Sequence, residues 1–452
     1  MLKNDPRLNL IRTWLTRDLQ WRIGQISVAS ADASFRRYFR VSRGDVDPAA
    51  WAPRADTLIV MDAPPGKEDI APYLKVTSLL EQAGAHVPHV HGYDYKRGFI
   101  VMEDLGNTQY LGLLKTGRGV DKLYGDALAT LANIQVRGLK AAQMLDPYDR
   151  TPLARELNLM PEWFLEKHLR LELSPEERGL LTVTFEFLIN EALLQPQVFV
   201  HRDYHSRNLM VLPHSAGGGP GVIDFQDALR GPVGYDLVSL LKDCYISWSR
   251  ERVERWVRGY RRVLGNLGAN VGDSEYQFMR WFDLIGVQRH LKVLGIFSRL
   301  WHRDGKIGYL ADLPLTFEYV RDACRRYPEL VEFERWLAWR VAPQLAAANA
   351  RQLAPPKRVR AAGRKTAVKK PAKRKKSVAK PKRVKRTRPK NQALKTRAVK
   401  KKKTRSSVRS RAVRKTIQRN ARVKRAAVLR RKRAPRAKPA RKLKRRVRRA
   451  HK

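Results

Sequence analysis

Residues 351–452 contain 48 lysines and arginines and not one Asp, Glu, Phe, Tyr or Trp. Such a segment cannot bury enough apolar surface to offset the entropy of ordering it, and its like charges repel. Disorder in isolation is expected there, with stretches such as 417–429 becoming helical on a polyanion. Any folded body must therefore form within the first 350 residues, a length that allows a large core or two lobes.

Setting the tail apart also changes the electrostatics. The chain has 93 Lys+Arg against 42 Asp+Glu, a formal charge of +51; the tail's 48 leave 45 basic and 42 acidic residues, a net of +3. A nearly neutral body carries a polycationic extension, and a uniformly basic nucleic-acid-binding fold is excluded. The two cysteines, Cys244 and Cys324, are too few for a disulfide framework and lack zinc-ligand spacing, so a reducing compartment is expected. No signal-peptide run opens the sequence, and no apolar run approaches the roughly 20 residues of a membrane span. The expected location is the cytoplasm.

Along the body, Leu8, Ile11, Leu15 and Leu19 have helical spacing. Three β-rich runs follow, SFRRYFRVS (34–42), TLIVMDAP (57–64) and GFIVMEDLG (98–106), with a helix over about 68–84 that stops at Gly84. This order predicts a small antiparallel sheet carrying one helix. Segments 121–142, 152–170 and 175–194 have helical period. QVFVHRD (197–203) predicts a short strand, 211–225 a hairpin, and 236–347 a further helical, aromatic-rich region. The expected fold class is α+β and bilobal: a small β-rich lobe over 1–103, a mainly helical lobe over 104–350 and the basic tail over 351–452.

The run HRDYHSRN (201–208), followed by IDFQD (223–227), carries the chemistry. Asp203 lies five residues before the amide of Asn208, and Asp224 lies sixteen beyond that at the end of an apolar strand. Phosphoryl transfer from ATP needs these parts. A base orients the incoming hydroxyl, and a carboxylate with an amide oxygen holds Mg²⁺, which prefers oxygen ligands, on the phosphates.

H-x-D-x-x-x-x-N with a later metal-binding Asp resembles the protein-kinase-like superfamily. HRDYHSRNLM and VIDFQDALRGPVGYDL resemble, more closely, the aminoglycoside phosphotransferase-type small-molecule kinases. Among these, ASADASFRRYFRV (29–41), VMEDLG (101–106) and QRHLKVLGIFSRLWHRDGKIGYLADLP (288–314) are most similar to bacterial kinases that phosphorylate N-acetylmuramate and N-acetylglucosamine at the anomeric hydroxyl. The resemblance implies a bilobal protein-kinase-like fold, ATP and Mg²⁺ as cofactors, and a small sugar substrate in cell-wall recycling. It implies Asp203 as catalytic base and Asn208 and Asp224 as metal ligands. Ser34, Phe35, Arg36, Arg37 and Tyr38 would form the turn covering the nucleotide. Glu103, Asp104 and Leu105 would form the hinge holding adenine through its backbone.

Two departures stand out. The covering loop has no glycine, so close approach to phosphate falls to Ala31, Ala33 and Ser34. The usual third-strand lysine is replaced by Met61–Asp62, leaving Arg36, Arg37 and Arg40 as substitutes, with Lys67 and Lys75 further off. A second HRD, at 302–304, has Tyr309 where the amide would stand, and is expected to be a loop of the helical lobe. HVPHVH (86–91) has metal-like histidine spacing but lacks a carboxylate or Cys partner and is expected to be a loop leading to a strand, AGGGPG (216–221) lacks a following Gly-Lys-Ser/Thr, and Asp236 is expected to support the catalytic loop.

The alternatives are an aminoglycoside- or choline-type kinase, or a nucleic-acid-binding protein carrying an inactive kinase fold. A cationic substrate would call for an acidic pocket, whereas HRDGK and QRHLK offer bases suited to a lactyl carboxylate. The tail resembles those of linker-histone-like proteins; nucleic acid or another polyanion is its expected partner, bound through counterion release.

Overall fold

The computed structural model describes residues 5–31, 35–44, 56–212 and 219–353. Helix α1 (Pro6–Thr13) starts where the Asp5 carboxylate accepts from Arg7 and Leu8 N–H, and runs into a π-helical turn, Trp14–Asp18. Then come β1 (Ile23–Ala31), β2 (Arg37–Arg43), β3 (Thr57–Asp62), α2 (Ala71–Gln82), β4 (Val90–Asp94) and β5 (Phe99–Glu103). The five strands form one antiparallel sheet in the order β1-β2-β3-β5-β4.

The central strands read as continuous apolar runs, LIVM in β3 and FIVM in β5, because both sheet faces are covered. Successive side chains alternate faces. Leu58, Val60, Phe99 and Val101 pack with Leu8, Ile11 and Trp14 of the N-terminal helix, while Met61, Ile100 and Met102 join Tyr73, Val76 and Leu80 of α2 in the main core. Strands β1 and β4 escape sequence reading. β1 is an edge strand of mostly small and polar residues, with Ile26 buried, Val28 exposed and its register shifted between Ile23 and Ile26 and between Val28 and Ser30; a similar shift interrupts β4 between Val90 and Gly92.

The helical part comprises α3 (Tyr110–Leu114), α4 (Val120–Arg137), α5 (Leu139–Ala142), α6 (Arg150–Leu157), a π-helical segment (Met160–His168) and α7 (Pro175–Leu193). The expected helix over 121–142 breaks at Gly138, where a Cβ would stand 2.2 Å from the Ile134 carbonyl oxygen. Four short strands follow: β6 (Gln197–Val200), β7 (Leu209–Met210), β8 (Gly221–Val222) and β9 (Leu229–Pro232), paired β6 with β9 and β7 with β8. The last elements are α8 (Tyr235–Leu241), α9 (Arg250–Asn266), α10 (Glu275–Asp304), α11 (Leu313–Cys324), α12 (Val331–Trp336) and α13 (Ala342–Leu353).

Helix α10, 30 residues long, is buried on nearly every side along its middle. Its buried set includes polar side chains, Arg289 and Lys292 among them, which meet the site described below. The second HRD forms the last turn of α10 rather than the expected loop, because the helical period runs on until Gly305 takes a left-handed φ of 68°. Helix α13 continues to Leu353, and Asn349 ties it down by hydrogen bonds to His168 (2.8 Å) and the Leu310 carbonyl (3.0 Å). The stretch expected to be disordered, with its possible helix at 417–429, lies outside the described residues. Among the described residues no helix is long and apolar enough to cross a membrane.

Candidate active site

The catalytic run leaves the end of β6. His201 is fully buried, and its N–H donates to Asp236 at 2.7 Å. Arg202 adopts φ 79°, uncommon for a residue with a Cβ, and its N–H donates to the other Asp236 oxygen at 3.0 Å. Asp236, in the first turn of α8, thereby holds the strained turn from below. Burial pushes its pKa up to about 7 against the pull of those two N–H groups. Burial also depresses His201 to about 4, so its ring is neutral. Nε2 donates to the Ile223 carbonyl (3.1 Å) while Nδ1 accepts from Asp203 N–H (3.2 Å). One imidazole thus fixes both the backbone of Asp203 and the strand leading to Asp224.

Further bonds lock the loop. Tyr204 OH donates to the Ala127 carbonyl, and Ser206 donates through N–H and Oγ to buried Asp243. Asn208 N–H reaches the His205 carbonyl, and Ile223 N–H the Asn208 carbonyl at 3.1 Å. Asn208 Nδ2 lies 3.0 Å from the Asp203 carbonyl and 3.3 Å from Asp224 Oδ2. The β7–β8 pairing sets Leu209 opposite Val222, which brings Asn208 and Asp224 to one end of the hairpin. Asp224 takes φ 65°, and its half-exposed carboxylate meets Gln226 Nε2 (3.1 Å) and Arg36 (3.9 Å). The Asn208 amide and the Asp224 carboxylate are thus neighbours, and an amide oxygen with a carboxylate is a donor set that suits a hard cation completed by phosphates.

Asp203 is half-buried. Desolvation pushes its pKa up, but the charges of Lys292, Arg289 and Arg202 outweigh that and hold it below the usual aspartate value. Beneath it, buried Glu156 gathers Arg202, Lys292 (3.2 Å) and Tyr148 OH, and Lys292 also donates to Tyr235 OH at 2.9 Å. Asp203 shares a small cavity with Tyr245, Arg289, Lys292 and the apolar side chains Val293, Ile296 and Phe297 of α10.

The structure thus gathers Asp203, Asn208, Asp224 and Arg36. Arg37 does not join them: its guanidinium pairs with Asp62 (2.6 Å) and Asp5. The pleat explains this, since Arg37, Phe39 and Val41 alternate onto the face covered by the N-terminal helix. Arg40 lies on the other face but is engaged by Asp104 (2.9 Å), which also accepts from Thr57 Oγ1 and Gly106 N–H. Of the three substitute arginines, only Arg36 meets the expected metal pair. Lys67 sits over the ring of exposed Phe35, 4.7 Å away. Tyr38 packs against the main core. Ser34 and Ala33 lie outside the described residues, as does most of the AGGGPG loop.

Glu103 ends β5, with its carboxylate 3.0 Å from His86. The histidines of HVPHVH do find acidic partners, Glu103 for His86 and Glu81 for His89, but these come from other elements. Among the described residues no group of three or more His, Cys, Asp or Glu could hold a metal. Leu105 is buried against Gly221, and its N–H has no protein acceptor among the described residues.

Sequence reading missed Glu156 and the separate roles of Arg289 and Lys292. The only available signal was the basic QRHLK run inside an otherwise apolar helical pattern.

Residues 25–282 match the family model described as the phosphotransferase enzyme family. An N-acetylmuramate/N-acetylglucosamine kinase of Pseudomonas aeruginosa is 45% identical over 310 residues, covering 69% of this chain and 87% of its own. Proteins of the same description from Pseudomonas putida (40%; 75% of this chain, 98% of the relative) and Neisseria meningitidis (42%; 71% and 92%) are similar. A solved choline kinase from Streptococcus pneumoniae aligns at 12% identity and TM-score 0.48, over 70% of this chain and 99% of its own. On the family match and the extent of these relatives, the chain belongs to the phosphotransferase enzyme family, with the protein-kinase-like fold, and is a kinase.

Proposed function

We propose that this kinase transfers the γ-phosphoryl group of ATP to the anomeric hydroxyl of N-acetylmuramate or N-acetylglucosamine, in the cytoplasm, as a step of cell-wall recycling. The observation that carries the reading is the setting of Asp203: an aspartate held ionised by Lys292, Arg289 and Arg202, opening on one cavity and linked by its own carbonyl to the Asn208–Asp224 pair. The 40–45% identity to relatives named for these sugars supports the acceptor.

In this reading Asp203 accepts a hydrogen bond from the sugar hydroxyl and points its oxygen along the line of transfer. A low pKa is no handicap, because in a loose transition state the proton leaves late and the task is mostly orientation. Asn208 and Asp224 would hold Mg²⁺, which would neutralise charge building on the phosphoryl oxygens. Arg36, beside Asp224, supplies the cation that β3 lacks. The Leu105 N–H is the hinge donor to adenine. Asp104 positions that hinge through Arg40, and Arg37 braces the sheet. A choline or aminoglycoside acceptor suits the cavity poorly, since a cation would sit beside Arg289, which no carboxylate among the described residues neutralises. ATP consumption measured with N-acetylmuramate, N-acetylglucosamine, choline and kanamycin tests the reading: turnover is expected with the amino sugars, and turnover with choline or kanamycin alone overturns it.

The tail, with its 48 cations, is proposed to bind nucleic acid or another polyanion. Removing 354–452 should leave sugar turnover near wild type and abolish salt-sensitive retention on immobilised DNA; retention that survives the truncation refutes the tail's role.

A further inference from the structure

Arg289 is 3% exposed, yet its one hydrogen-bond partner among the described residues is the thiol of Cys244, at 3.9 Å. Its Nε has none. Among the described residues no carboxylate lies within ion-pair distance of it; Asp203 and Asp243 attract it only from further away. Asp243 is already taken by Ser206 and by Tyr245 N–H. The neighbouring cation is different, for Lys292 is neutralised by Glu156. Burying a guanidinium with its donors unmet is costly, and the cost is recovered when an anion arrives in the same dry site.

The cavity shows what that anion belongs to. It is lined by Asp203 but by neither Asn208, Asp224 nor Arg36, so it is the acceptor's side of the base and not the nucleotide's. Arg289, Val293 and Ile296 follow one another at i, i+4 and i+7 on one face of α10, setting a bidentate cation beside two branched apolar side chains. A carboxylate next to a methyl group is the chemical complement of that face. The two sugars differ by such a group, the 3-O-lactyl ether of N-acetylmuramate.

We infer that Arg289 is a specificity residue of this kinase, receiving the lactyl carboxylate of N-acetylmuramate while Val293 and Ile296 receive its methyl group. The inference rests on the acceptor reading above. Arg289→Gln is expected to lower kcat/KM for N-acetylmuramate about 30-fold more than for N-acetylglucosamine, chiefly through KM. Equal losses on both sugars would mean that the arginine serves the transferred phosphate or the fold, and no loss that it serves neither; either result overturns the assignment. A comparison needing no variant guards against misfolding. Wild-type enzyme should prefer N-acetylmuramate to its methyl ester by a similar factor, and equal kcat/KM for acid and ester also overturns the assignment. If the wild type turns over neither sugar, the acceptor reading itself falls and this inference with it.

Discussion

At 201–203 the tripeptide His-Arg-Asp leaves β6 with its histidine buried and neutral, its arginine in a left-handed turn and its aspartate opening on a cavity. At 302–304 the same tripeptide closes α10, with His302 near His168 (3.3 Å) and Asp304 paired to its own neighbour Arg303 (2.7 Å). Composition is identical; what differs is who holds the backbone. The first copy is bent into a strained turn by Asp236, whereas the second satisfies its N–H groups within the helix. A catalytic tripeptide is therefore a property of the acceptor beneath it as much as of its own letters.

The largest effect separates the two aspartates. Asp203→Ala should lower sugar-dependent ATP turnover by about 10³-fold, within the usual span for a lost acid–base group. Asp304→Ala, which removes only a surface pair, should stay within about twofold. Comparable losses in both variants would end the distinction.

Next comes the acceptor beneath the first copy. Asp236→Ala leaves the N–H groups of His201 and Arg202 buried without partners, so a loss of about 3 kcal/mol in unfolding free energy is expected. Turnover should drop by about 10²-fold as Asp203 moves off line. Asp236→Asn keeps one carbonyl acceptor and should fall between. Denaturant unfolding and steady-state kinetics read both quantities; full turnover in Asp236→Ala would show that the turn holds itself.

These residues also mark how far the sequence was legible. Asp203, Asn208 and Asp224 were visible because they are bound by local spacing: a fixed loop, then a hairpin whose register puts the last two together. The central strands were visible because burial on both faces leaves an unbroken apolar run. Arg37 was misjudged although the pleat encodes its direction, since Phe39 and Val41 two and four positions on share its face. Glu156 arrives from α6, and nothing local distinguishes it from an ordinary helical surface charge; Arg289 and Lys292 arrive from α10, where the QRHLK run marks two bases in an apolar pattern but not their separate partners. The loop expected at the second HRD rests on Tyr309 standing where the amide would, which speaks to chemistry and not to backbone, while the uninterrupted period of α10 points to a helix.

The pH dependence sharpens the contrast between the histidines. His201 is depressed to about 4 in the folded protein, below the unfolded value near 6.5. The stability it contributes is fully present above pH 6.5 and is lost as pH falls towards 4, because the unfolded chain then binds the extra proton. Asp236 works in the opposite sense. Raised from 3.8 to about 7, it adds stability that is fully present below 3.8 and is lost as pH rises through 7, so it flattens the wild-type curve. Between pH 7 and 5, His201→Gln should therefore lose about 2 kcal/mol less stability than wild type. His302, also lowered but exposed and therefore screened by solvent, should give a clearly smaller difference in the same comparison. Equal shifts in the two variants would mean that the imidazoles titrate alike.

The smallest effect tests the end of the second copy. Gly305 stops α10 at φ 68°, and a Cβ built there meets nothing within 4 Å. Gly305→Ala is thus free of steric clash and suffers only the cost of left-handed backbone, about 1 kcal/mol. Arg202 bears the same kind of backbone at φ 79° and tolerates it because Asp236 and Glu156 hold it there. Unfolding of Gly305→Ala should show that modest loss with turnover intact. A loss of turnover would mean that the end of α10 reaches the acceptor site and that the two tripeptides are less separate than their backbones make them.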